Sequence, residues 1–80
     1  MGLFDSFLGA VNEAGKKNYR NVTGNDYDRD FQDYLRKWEW KQDYELKQRW
    51  RDLEDDTSIR HAAEKAVVKE LMKENGFDID

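Results

Sequence analysis

No cysteine and no proline occur in the 80 residues of this chain. The first absence excludes disulfides and thiolate metal sites. It fits a reducing, cytoplasmic setting. The second leaves long helices uninterrupted. There is one histidine, His61. A Cys/His nucleophile pair is therefore excluded, and a Ser/His triad would have to use His61 alone. No glycine-rich phosphate loop is present, so no enzyme activity and no cofactor are expected. No apolar run approaches the ~20 residues needed to cross a bilayer. The N-terminus has no basic lead-in before its apolar residues, so no secretion signal is read there. "NVT" at Asn21 matches a glycosylation acceptor, which means nothing without secretion.

Charge and aromatic rings are abundant. Charged residues make up 40% and aromatic residues 14%. The aromatic content argues against a disordered chain. The high polarity suits a helical domain with a thin core. Net charge is −4, and it is blocked along the chain. Asp26, Asp28, Asp30 and Asp33 face Arg29 alone. Residues 36–51 then carry six basic and three acidic side chains, followed by Asp52, Glu54, Asp55 and Asp56. This alternation is that of a charge-patterned helix surface.

Hydrophobic spacing predicts an all-α fold, either a small three-helix bundle or a helical hairpin with a long central helix. The chain reads as a single domain over residues 1–80. A helix over 2–17 aligns Leu3, Phe4, Phe7, Leu8, Val11 and Ala14 on one face. Gly15 is a plausible stop, with Lys16 and Lys17 able to extend the helix. Residues 18–24 read as a loop, since Val22 and Thr23 are poor helix formers and Gly24 and Asn25 supply turn chemistry.

A long helix is predicted over 25–54, ~45 Å if straight. It sets Phe31, Tyr34, Leu35 and Trp38 on one face, and Leu46, Trp50 and Leu53 on a slightly rotated one. Asp43 with Lys47, and Glu45 with Arg49, have favourable i,i+4 spacing. A break near Gln42 and Asp43 is the open alternative. The last helix is predicted over 57–75, capped by Asp56, Thr57 or Ser58. Its inward stripe is Ile59, Ala62, Ala63, Ala66, Val67 and Leu71. Asn75, Gly76 and Phe77 read as a Schellman ending with Phe77 folded onto Met72. A short tail, 76–80, follows.

The acidic run "DYDRDFQD" starts like a calcium loop. Asp26, Asp28 and Asp30 fit its first three ligand positions. It then fails, because Phe31 stands where the sharp turn needs glycine and Lys37 where the bidentate glutamate belongs. Acids suiting a helix N-terminus explain it better, and no metal site is expected.

The opening "GLFD" and the apolar spacing of residues 2–14 resemble the amphipathic host-defence peptides that begin Gly-Leu-Phe-Asp. The resemblance implies membrane-surface binding through Leu3, Phe4, Phe7, Leu8 and Val11. This chain departs from those peptides in having no lysine in its first three turns, which weakens attraction to anionic lipid. Met1, Gly2 and Ser6 also fit the N-myristoylation pattern. The plainer reading is a first core helix.

The densest aromatic stretch is "LRKWEWKQDYELKQRW", residues 35–50. Its basic residues interleave with rings, as in single-strand nucleic-acid binders. Acids sit among them, however, and the pI is about 5.0, which is wrong for a coherent basic footprint. Acid-rich helices can instead imitate a phosphate backbone. Trp38 and Trp50 lie on the inward side. On a continuous helix Trp40 and Tyr44 fall on the far side, stacked one turn apart, and Val68 and Met72 extend their patch. Surface tryptophan and tyrosine ringed by charge are the usual composition of interface anchors. The expected function is therefore a non-enzymatic protein-interaction module, an inhibitor or adaptor of a phage or mobile element. Trp40 and Tyr44 are its anchors, and Arg36, Lys37 and Lys47 its rim. The expected partner is another protein or a second copy.

Overall fold

The computed structural model describes residues 13–78. Within them the chain forms four α-helices: α1 (Glu13–Thr23), α2 (Tyr27–Trp38), α3 (Asp43–Leu53) and α4 (Ala62–Glu74). A 3₁₀ turn, Ile59–His61, leads into α4. No strand occurs among the described residues. The fold is all-helical, as the spacing predicts.

The expected loop over 18–24 is instead helical as far as Thr23, and Gly15 lies inside α1. Tyr19 explains this. Its ring is buried edge-on against Tyr27, with centroids 5.4 Å apart, and its hydroxyl donates to Asp30 Oδ2 at 2.6 Å. That packing outweighs the few tenths of a kcal/mol by which Val22 and Thr23 disfavour helix. The helix ends at Gly24, whose φ of +76° is left-handed. The Gly24 N–H reaches back to the Arg20 carbonyl at 2.8 Å. This bond marks a glycine-terminated helix.

The expected long helix, 25–54, is broken at residues 39–42. No glycine or proline causes the break. Glu39 closes α2 with its N–H on the Leu35 carbonyl, and the Lys41 N–H turns back to Trp38. Gln42 then becomes extended and opens α3, and the Glu45 carboxylate accepts the Gln42 N–H at 3.0 Å. That bond is the returning half of a capping box. The gain lies in packing. A straight helix of ~45 Å would overrun a fold whose longest dimension is 32 Å. Once bent, both halves bury their apolar faces against α4. Glu45 and Arg49 take other partners than the expected i,i+4 ones.

α4 is therefore the central element. Ala63, Val67, Val68, Leu71 and Met72 are all buried on it, together with Tyr27 and Phe31 of α2 and Leu46 and Leu53 of α3. Trp38 and Trp50 pack against this core from its edge. The burial of Val68 and Met72 corrects the expectation that they join an exposed patch. A helix covered from two sides buries more than a single stripe. Ile59, expected inside, sits in the 3₁₀ turn and is 39% exposed.

The ending of α4 follows the predicted Schellman pattern. Gly76 has φ +91°, its N–H bonds the Lys73 carbonyl, and the Phe77 N–H bonds the Met72 carbonyl at 3.0 Å. The start of α4 is set by Asp56. Its Oδ1 accepts the Ser58 N–H at 2.8 Å and its Oδ2 meets His61 Nδ1 at 2.7 Å. Hydrogen bonds from Ser58 and His61 hold the Asp56 carboxyl down at about 2.

Candidate functional site

The break between α2 and α3 fixes the fate of the aromatic stretch. Trp40 sits in the connection and is 84% exposed; Tyr44, in the first turn of α3, is 64% exposed. Because the helix does not continue through 39–42, the two rings are not stacked one turn apart as expected. Arg36 and Lys37 lie exposed on the last turn of α2, and Lys47 is exposed on α3. The turn thus projects the most exposed large apolar side chain among the described residues, with cations on both flanks.

Directly beneath, the chain is locked. Glu64, 4% exposed on α4, is met by two helices at once. Arg49 of α3 donates from Nη2 to Glu64 Oε1 at 2.7 Å and from Nε to Oε2 at 3.1 Å. Trp38 of α2 donates its indole N–H to Oε2 at 3.0 Å. Burial alone would push the Glu64 carboxyl up. The two-pronged Arg49 contact and the indole bond outweigh it, so its pKa lies below the ordinary glutamate range. Arg49 also faces Asp52 at 3.7 Å. The Lys37 ammonium lies 5.3 Å from the Trp38 ring centroid, a cation–π contact.

Beside the turn is a depression of about 280 Å³ lined by Lys37, Trp38, Lys41, Glu45, Gln48, Arg49 and Asp52. Glu45 is committed to capping α3, and Asp52 faces Arg49. Its lining carries both signs of charge, with Lys37, Lys41 and Arg49 against Glu45 and Asp52.

Comparison with known protein families, curated proteins and solved structures finds no match to this chain.

The other candidates resolve separately. Of the basic-aromatic stretch, Trp38 and Arg49 are spent on Glu64 and Trp50 packs against the core. Trp40 and Tyr44 are the rings of that stretch left exposed. In the acidic run, Asp28 pairs with Lys16 and Asp30 accepts Tyr19. No group of three metal-ligating side chains forms among the described residues. Ser58 Oγ and Asp56 Oδ2 both approach the same nitrogen, His61 Nδ1. A catalytic relay needs them on opposite nitrogens, and here the trio organises the entry to α4. No described helix is long and apolar enough to cross a membrane. Leu3, Phe4, Phe7, Leu8 and Val11 lie outside the described residues.

The pair that sequence reasoning missed is Arg49 with Glu64, which holds the turn from below. They are 15 positions apart on different helices. Only glutamate within the apolar stretch of α4 hinted that a partner was required.

Proposed function

We infer that this protein is a non-enzymatic interaction module that docks another protein through the α2–α3 turn, as a cytoplasmic inhibitor or adaptor of a phage or mobile element. The observation that carries the reading is Trp40, 84% exposed on a turn that the Trp38–Arg49–Glu64 lock holds from below. A tryptophan carried on a turn that is itself held contributes a large apolar area on binding. Tyr44 is the second anchor. Arg36, Lys37 and Lys47 form a rim whose charge favours a partner carrying acidic residues around an aromatic-accepting pocket.

The test is a tagged pull-down from lysate of the source cell with nuclease present. The wild-type chain is run beside a Trp40→Ala, Tyr44→Ala double variant whose fold is checked by circular dichroism. A protein retained by the wild type and lost by the folded double variant supports the reading. Equal retention by both removes it. A sizing column run on each distinguishes a foreign partner from a second copy.

A further inference from the structure

On the opposite side of α4 from the lock, a cleft of about 430 Å³ opens between α1, the 56–59 connection and α4. Its walls are made by small or apolar side chains, chiefly Gly15, Tyr19, Ile59, Ala62 and Ala66. Ligand sites are typically about 300–1,000 Å³, mostly apolar, with a few convergent polar groups. Two such groups are present. Tyr27 lines the cleft, and its hydroxyl makes no hydrogen bond among the described residues, which leaves it able to donate into the cleft. Burial pushes its pKa up to about 12, so it stays a neutral donor. Lys69, half-buried on α4, has no ion-pair partner among the described residues. Lys65, one turn earlier, donates to the Asp56 carbonyl at 2.9 Å. The one carboxylate in the lining, Asp56, is engaged by Ser58 and His61.

Tyr27 and Lys69 both line the cleft, and Ile59, Ala62 and Ala66 supply its apolar wall. We propose that this cleft binds one small amphiphile with an anionic head, a medium-chain carboxylate, whose head takes the Tyr27 hydroxyl and the Lys69 ammonium and whose tail covers Ile59, Ala62 and Ala66. A carboxylate supplies the acceptor that Tyr27 lacks and the countercharge that Lys69 lacks, and an alkyl tail removes Ile59 from water. A cationic amphiphile would meet Lys69 and Lys65 with like charge.

The experiment is calorimetric titration of the intact chain with dodecanoate below its micelle concentration, and with dodecyltrimethylammonium as the charge-reversed probe. Saturable one-to-one binding of dodecanoate is expected, with the cation at least about tenfold weaker. Lys69→Glu should weaken dodecanoate about tenfold. Tyr27→Phe should weaken it by a smaller factor, and Ala66→Trp, which fills the cleft, should abolish it. Trp40→Ala should leave it unchanged, which separates this site from the docking turn. Absence of saturable binding, equal binding of both probes, or full binding by Lys69→Glu and Tyr27→Phe would each overturn the assignment, even if Ala66→Trp failed to fold.

Discussion

Trp38 and Trp40 are two residues apart and opposite in fate. Trp38 closes α2, packs against the core and gives its indole N–H to Glu64. Trp40 stands in the next turn with its ring in solvent. The side chains are chemically identical, so the difference lies in where the backbone bends. One tryptophan serves the fold and the other is left available. A ring can be left in solvent when its neighbour has already satisfied the core.

The sharpest way to break this contrast is to remove the lock. Arg49→Ala would leave the Glu64 carboxylate buried with only the indole N–H. Losing one member of a buried pair costs about 3–5 kcal/mol, and the partial exposure of Arg49 points to the lower end. A urea denaturation series should therefore show a loss of about 3 kcal/mol.

Acid attacks the same point. The folded-state pKa of Glu64 is depressed. Its contribution is therefore complete above the ordinary glutamate pKa of 4.5 and is lost as pH falls from there through the folded value. Asp56 behaves alike, with its contribution lost as pH falls from 3.8 through about 2. Melting temperature followed down this window should drop more steeply for the wild type than for Glu64→Gln. The residual slope of the variant should shrink on adding Asp56→Asn.

Trp38→Phe keeps an aromatic ring, though a smaller one, and deletes the indole bond to a charged acceptor, an expected loss of at least about 1.5 kcal/mol in the same denaturation assay. Trp40→Ala is the counterpart. Its effect on stability should stay within about 0.5 kcal/mol, while partner retention in the pull-down is lost. If Trp40→Ala destabilised the chain as much as Trp38→Phe, the division of labour between the two rings would be wrong.

Much of the architecture was legible in the sequence, and the exceptions share a cause. The ending at Asn75–Gly76–Phe77 is a local signal, because one left-handed glycine and its two flanking bonds define it. The inward placement of Phe31, Leu46 and Leu53 follows from spacing alone. The break at 39–42 carries no helix-breaking residue. Its only mark is glutamine followed three residues later by glutamate; the sequence reading left a break near Gln42 and Asp43 open without naming that pair. The helical course of residues 18–23 depends on Tyr19 reaching Tyr27 and Asp30, contacts that no local propensity contains. Arg49 read as one more base in a charged stretch, since its partner is on another helix. The exposure of Trp40 was foreseen, but for a geometric reason, the far side of a straight helix, that the bend replaces.

The lock also constrains how this chain can change. Glu64 alone made apolar would leave Arg49 without its buried partner, and Arg49 alone made apolar would strand a buried carboxylate between α2 and α3. Replacing both by well-packed apolar residues can be neutral or stabilising. The two positions therefore sit on separate high ground with a valley between, reachable from each other only by a double step or through a compensating neighbour such as Asp52. Among descendants of this sequence, the identities at 49 and 64 should be inherited as a unit.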